Sequence, residues 1–254
     1  MIAFNVLRRL TTVLALVLCF GAAADAADPA PAFSDGQKQA IEKMIHQYLL
    51  DHPEVILEAV QRHREKAEEA KKVHAKATLS GLRKELENDP TSPVAGNVNG
   101  KVTLVEFFDY RCGYCKRVHP TLVELMKEDK ELRVVFKEFP ILGPESMLAS
   151  RAAMAVWRTQ PQKYLAFHDA LMGGRGARDE ASLLAAAGKQ GIDPAALKKA
   201  MADPEVEAAL ARNFHLAEAL GINGTPAFVV GTELVPGAVD KETLKKLIAE
   251  ARGS

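Results

Sequence analysis

Hydrophobic residues recur along this chain with two periods, and each predicts a different kind of element. In IEKMIHQYLL, Ile41, Met44, Ile45, Tyr48 and Leu49 fall on one helical face. Ser34 and Gln37 stand three apart just ahead of them, the spacing of a capping box, so a helix is expected to start there and stop near Asp51. Pro53 suits the first turn of a second helix, where a missing N–H costs nothing. From Glu54 the chain then runs without a breaker to Gly81. Along that run Ile56, Val60, His63, Ala67, Ala70, His74 and Ala77 alternate four and three apart. This heptad-like stripe lacks large apolar residues beyond Val60, so the helix cannot bury enough surface to be stable alone. It is expected either to stand as a charged, solvated stalk or to pack against copies of itself.

Turn-rich sequence at Asn88–Pro93 and Gly96–Gly100 marks a boundary, after which the period shortens. KVTLVEFFDY reads as a buried strand, followed by a helix beginning at or just after Cys112, and LRVVFKEF reads as a second strand over about 132–139. Residues 145–220 turn helical and alanine-rich, with breaks at Pro161, Gly173-Gly174, Gly191 to Pro194 and Pro204. AFVVG and ELVPG then form a strand pair, and KETLKKLIAEAR closes as an amphipathic helix. The order strand-helix-strand, helical insertion, strand-strand-helix belongs to the α/β class. The organisation expected is a helical segment over 33–90 and an α/β domain over 91–254 with a helical insertion at about 145–220.

The first 26 residues change how the cysteines are read. Arg8 and Arg9 precede an apolar stretch from Leu10 to Ala22, and Ala24-Asp25-Ala26 offers a small-x-small cleavage site. This is the pattern of a cleaved secretory signal, the alternative being an uncleaved anchor. Cleavage after Ala26 removes Cys19 and leaves Cys112 and Cys115 in an oxidising compartment. Charge adds little: the 33 basic and 33 acidic residues balance, which gives no nucleic-acid surface and no strongly charged substrate.

The two remaining cysteines lie in YRCGYCKRVHP. A domain of this length needs no disulfide staple to fold, so the pair is free for chemistry. A strand that delivers Cys112 to a helix N-terminus places its sulfur among unpaired N–H groups, where the thiolate is favoured and the residue becomes an activated nucleophile. Cys115, one turn further, can attack a mixed disulfide formed at Cys112 and release the substrate. Two other readings stay open. Zinc wants about four ligands and no second CxxC or HxxxH supplies them, whereas a low-coordinate copper(I) site using His119 would suit soft thiolates. Thr225-Pro226 stands just before a strand; it is an ordinary turn or, if the bond is cis, a place where Thr225 exposes its backbone to an extended peptide.

FFDYRCGYC, GTPAFVV and LVPG, in this order with a helical stretch between, resemble the DsbA-like thioredoxin-fold proteins of bacterial envelopes. The N-terminal segment with YLLDHPEVILEAV resembles the ScsC group, the suppressor-of-copper-sensitivity proteins C. The resemblance implies a thioredoxin fold with an inserted helical domain, preceded by an N-terminal helical oligomerisation stalk. It implies that Cys112 is the surface nucleophile, Cys115 the resolving cysteine and Pro226 a cis-proline opposite them, with Thr225 offering its backbone to substrate. Gly113 and Tyr114 would tune the redox potential, and Glu106 would be a buried acid that relays the proton of Cys115. DsbA carries Pro-His between its cysteines; Gly-Tyr is the dipeptide of the isomerase DsbC, which also has Thr before its cis-proline.

The expectation is therefore a periplasmic disulfide isomerase or reductase acting on cysteine-containing envelope proteins. A membrane-bound thiol reductase would restore its dithiol, copies of the chain would assemble as a trimer, and no dissociable cofactor or metal would be needed. A disulfide-donating oxidase of the DsbA type and a copper(I)-binding protein of copper tolerance are the alternatives.

Overall fold

The computed structural model describes residues 33–174 and 179–253. The expected signal segment, Cys19 included, lies outside the described residues. By packing, the chain divides into two units, residues 1–64 and 65–254.

In the first unit, helix α1 spans Asp35–Asp51. The capping box is formed: the Gln37 N–H donates to Ser34 Oγ at 3.3 Å and the Ser34 N–H donates to Gln37 Oε1 at 2.9 Å. The helix buries none of its residues, and Met44 stands 70% exposed. Helix α2, Glu54–Gly81, starts one residue after Pro53 rather than enclosing it. The Pro53 carbonyl accepts from the N–H groups of Ile56 and Leu57, so the proline stands at the cap and not in the first turn.

The second unit is built on a five-stranded sheet in the order β1-β3-β2-β4-β5, with β1 Val94–Gly96, β2 Val102–Phe108, β3 Leu132–Glu138, β4 Ala227–Val230 and β5 Glu233–Pro236. β2 and β3 run parallel, joined by α4 (Gly113–Glu128); the other pairs are antiparallel. Short helix α3 (Arg83–Glu87) precedes the sheet. Between β3 and β4 lie α5 (Pro144–Thr159), α6 (Pro161–Gly173), α7 (Glu180–Lys189), α8 (Pro194–Ala200) and α9 (Pro204–Ala219). α10 (Lys241–Arg252) closes the chain. Four of these helices start on a proline, where the absent N–H would be unpaired in any case, and the breaks at Pro161, Pro194 and Pro204 are three of those starts.

The sheet is covered on both faces, which is why β2 and β3 read as almost unbroken apolar runs. Leu104 and Phe108 point into one core with Cys115, Leu122, Tyr164 and Leu244. Val105 and Phe107 point into the other with Leu79, Leu86, Val135 and Leu216. Glu106 alternates onto the first face.

Two features depart from the pattern read along the chain. Leu79 and Leu86 precede the turn-rich boundary sequence, yet they are buried against the back of the sheet and belong to the second unit. Strand β1 lies within sequence that signals turns; three residues are too few for a period. Its Gly96 has φ +72°, and a Cβ there would stand 2.6 Å from the Leu132 carbonyl oxygen, so the close approach to β3 requires glycine. Among the described residues no helix is long and apolar enough to cross a membrane.

Candidate active site

β2 ends at Phe108, and four residues later Cys112 forms the N-cap of α4 in extended conformation (φ −69°, ψ 115°). Its sulfur takes the place of the usual cap oxygen, accepting from the Cys115 N–H at 3.4 Å. The Cys112 thiol in turn donates to the backbone carbonyl of Thr225 at 3.2 Å. The Thr225-Pro226 bond that follows is cis, immediately before β4. The fold thus joins the two motifs, and both cysteines are free thiols.

Cys115 is fully buried, as its position one turn inside the helix suggests. Cys112 differs from the surface nucleophile expected: it is only 6% exposed, with the Thr225 carbonyl against its sulfur. Gly113 and Tyr114 are the exposed residues of the motif, and the Arg117 guanidinium lies 4.7 Å over the Tyr114 ring.

The segment between strand and helix is held by Asp109. Its carboxylate accepts from the Arg111 N–H (2.7 Å), the Leu142 N–H (3.0 Å) and Ser146 Oγ (2.8 Å), which ties the approach to Cys112 to the start of α5.

Glu106 is buried beneath the pair and neither of its oxygens has a hydrogen-bond partner. Burial first, then the charges of Cys112 and Glu138, push its carboxyl up to about 8. Burial and then the Glu106 charge push the Cys115 thiol well above its ordinary value. Both groups are thus held toward their protonated forms.

The reading of the sequence missed a second buried carboxyl, Glu138 at the end of β3. It is surrounded by the hydroxyls of Tyr110, Ser150 and Tyr164. The signal was there in LRVVFKEF, a charged residue inside an apolar strand, whereas Glu106 stands out through the family resemblance. His119, considered as a copper ligand, has Nε2 3.0 Å from Asp169 Oδ1. Among the described residues no group of three or more His, Cys, Asp or Glu is placed to hold a metal ion.

Comparison with known proteins adds an independent line. The DSBA-like thioredoxin domain model matches residues 103–249, and the copper resistance protein ScsC N-terminal domain model matches residues 37–70. Among solved structures, a thioredoxin-like oxidoreductase from Silicibacter pomeroyi is 45% identical, covering 68% of this chain and 98% of that one, with a TM-score of 0.65. A linker-deletion variant of Proteus mirabilis ScsC is 31% identical over 89% of this chain and 99% of its own, with a TM-score of 0.68. A periplasmic thioredoxin-like protein from Salmonella enterica serovar Typhimurium is 38% identical over 68% of this chain and 97% of its own, with a TM-score of 0.63. The chain spans about a quarter of the length of the first curated relatives it matches, such as the Na(+)/H(+) antiporter NhaA 1 of Salinispora arenicola, 27% identical over 64% of this chain and 26% of the antiporter. By these matches the chain belongs to the DSBA-like thioredoxin family, with an ScsC-type N-terminal domain ahead of the thioredoxin fold.

Proposed function

We propose that this protein is a periplasmic thiol–disulfide oxidoreductase that works from the reduced state, as an isomerase or reductase of cysteine-containing envelope proteins. The observation that carries the reading is the placement of the Cys112 sulfur 3.2 Å from the Thr225 carbonyl oxygen. A nucleophile beside a backbone acceptor suits a substrate that arrives as an extended peptide and pairs through its main chain.

The Cys112 thiolate attacks one sulfur of a substrate disulfide; the S–S bond breaks and the departing thiolate takes up a proton. A second substrate thiolate can then attack the mixed disulfide, which returns Cys112 and leaves the substrate rearranged. Alternatively Cys115 passes its proton to the Glu106 carboxylate and attacks Cys112 Sγ; the departing substrate thiolate takes up a proton, which releases the substrate dithiol and leaves a Cys112–Cys115 disulfide. The second route needs an external dithiol reductant, for which a membrane-bound thiol reductase is the class of partner. The Gly113-Tyr114 dipeptide and Thr225, as in DsbC, favour this direction over disulfide donation.

The compartment rests on the signal pattern before Ala26 and on the periplasmic relative. Assembly as a trimer rests on the first unit: a 17-residue helix that buries no residue has little to stabilise it as a monomer, and Met44, Ile45 and Tyr48 are exposed on it. Several active sites around one cleft would raise the effective concentration of a misfolded substrate at each. The direct test is reactivation of ribonuclease with scrambled disulfides. The reduced protein should restore activity and Cys112→Ser should not; equal reactivation by both would overturn the reading.

A further inference from the structure

The hydrogen bonds around Glu138 have a direction. Tyr164 Oη donates to Oε1 at 3.2 Å, Ser150 Oγ donates to Oε2 at 2.7 Å, and Tyr110 Oη lies 3.0 Å from both Glu138 Oε1 and His168 Nδ1. Tyr110 has one proton to give. If it donates to Glu138, His168 Nδ1–H donates to Tyr110 and the buried, unpartnered His168 Nε2 is a bare lone pair. The reverse arrangement would put an orphan N–H donor in the core, which costs more. The favoured arrangement aims three O–H donors at Glu138, a cradle for a carboxylate.

Glu106 has the opposite surroundings. In the parallel register Glu106 faces Phe136 and Phe108 faces Glu138, so both acids lie on the same face of adjacent strands, in the core that holds Cys112 and Cys115. Both are fully buried, but Glu106 has no donor. Two carboxyls with unequal partners in one low-dielectric region lose their protons in order, the one with hydrogen-bond donors first, and its charge then opposes ionisation of the other. We propose that Glu138 is a second buried acid of the redox centre, a positioning residue that ionises before Glu106 and whose charge then sets the proton affinity of Glu106. The consequence for catalysis rests on the reading of Glu106 as the proton partner of Cys115.

Other charged or titratable groups around Glu138 do not replace it. Asp109, on the segment after β2, is acidic and raises the proton affinity of Glu138. Asn213 of α9 reaches the Glu138 backbone carbonyl, and Lys137 is held on the opposite face by the Glu85 carbonyl and Ser92. His168 is kept neutral by burial and by His119, whose ring lies 5.0 Å from its own. Burial raises both acids, each to about 8 in all; at Glu138 the three hydroxyls work against burial within that value, and at Glu106 the Glu138 charge works with it.

The test is a carboxyl-carbon NMR titration of the full-length reduced protein labelled with 13C-glutamate, assigned with Glu106→Gln and Glu138→Gln. Glu138 should ionise first, and in Glu138→Gln the Glu106 midpoint should fall by about one pH unit, the scale of a nearby like charge. Tyr164→Phe, which keeps the carboxyl, should raise the Glu138 midpoint and serves if Glu138→Gln does not fold. Glu106 ionising first, or its midpoint unmoved in Glu138→Gln, would overturn the proposal, as would an unmoved Glu138 midpoint in Tyr164→Phe. The acid limb of Cys115 attack on a Cys112 mixed disulfide should move to lower pH with the Glu106 midpoint. A moved midpoint with an unmoved limb would leave the coupling standing and would instead reject Glu106 as the proton partner of Cys115.

Discussion

The thiol of Cys112 donates a hydrogen bond to the carbonyl oxygen of Thr225, 113 residues further along the chain. A substrate main chain that pairs with Thr225 must therefore arrive at the sulfur itself. In Cys115→Ser, a mixed disulfide formed at Cys112 loses its internal route of release. Non-reducing gels of cells expressing that variant should show adducts with envelope proteins that collapse on reduction, and Cys112→Ser should show none. Brief alkylation of the reduced wild type should modify Cys112 well before the fully buried Cys115.

Glu106 should leave a mark on stability. Its folded-state pKa of about 8 lies above the ordinary value of 4.5, so the folded state binds a proton that the unfolded state releases. The associated stability is complete below pH 4.5 and is lost as pH rises to about 8. Glu106→Gln cannot ionise. Its stability relative to wild type, from denaturant unfolding, should increase between pH 5 and 8 by on the order of a few kcal/mol. Taking the difference between the two proteins removes the opposite slope of His168, which is held neutral and adds stability as pH rises. A difference independent of pH would mean that Glu106 is ionised in the folded protein at neutral pH.

Lys137 makes a structural prediction. Its ammonium is fully buried and donates to the Glu85 carbonyl at 2.6 Å and to Ser92 Oγ at 2.7 Å, with Asp89 at 3.7 Å. Lys137→Met keeps the stem but leaves these acceptors unpaired, so it should destabilise the protein by about 3 kcal/mol in denaturant unfolding. Reduced Cys112 should keep its reactivity in the variant, because Lys137 lies on the other face of the sheet.

The N-terminal unit is the proposed means of assembly. A chain beginning at Glu65 keeps Leu79 and Leu86 in the core, and should sediment and scatter light as a folded monomer while the full chain forms the larger species. An unchanged oligomer would place the interface elsewhere.

Much of this architecture was legible in the sequence because its signals are local. Ser34 and Gln37 mark a helix start three residues apart, and prolines 161, 194 and 204 mark three more. Cys112 as N-cap followed from a strand pattern meeting a helix pattern. What was not legible depends on partners distant in sequence. β1 exists because β3 offers it an edge, and Leu79 and Leu86 belong to the second unit because they cover a sheet that begins after them. The cover over Cys112 comes from Thr225. The Glu138 cradle draws Tyr110, Ser150, Tyr164 and His168 from three segments, and only the charge within the apolar strand LRVVFKEF hinted at it.

The direction of electron flow is the central claim, and the most direct measurement is the redox state of Cys112 and Cys115 in growing cells, by acid quenching, alkylation with a mass tag and counting tags per chain. A pair that is mostly reduced is the result predicted for an isomerase or reductase kept ready by a reductant. A pair that is mostly oxidised would contradict it and make the protein a disulfide donor.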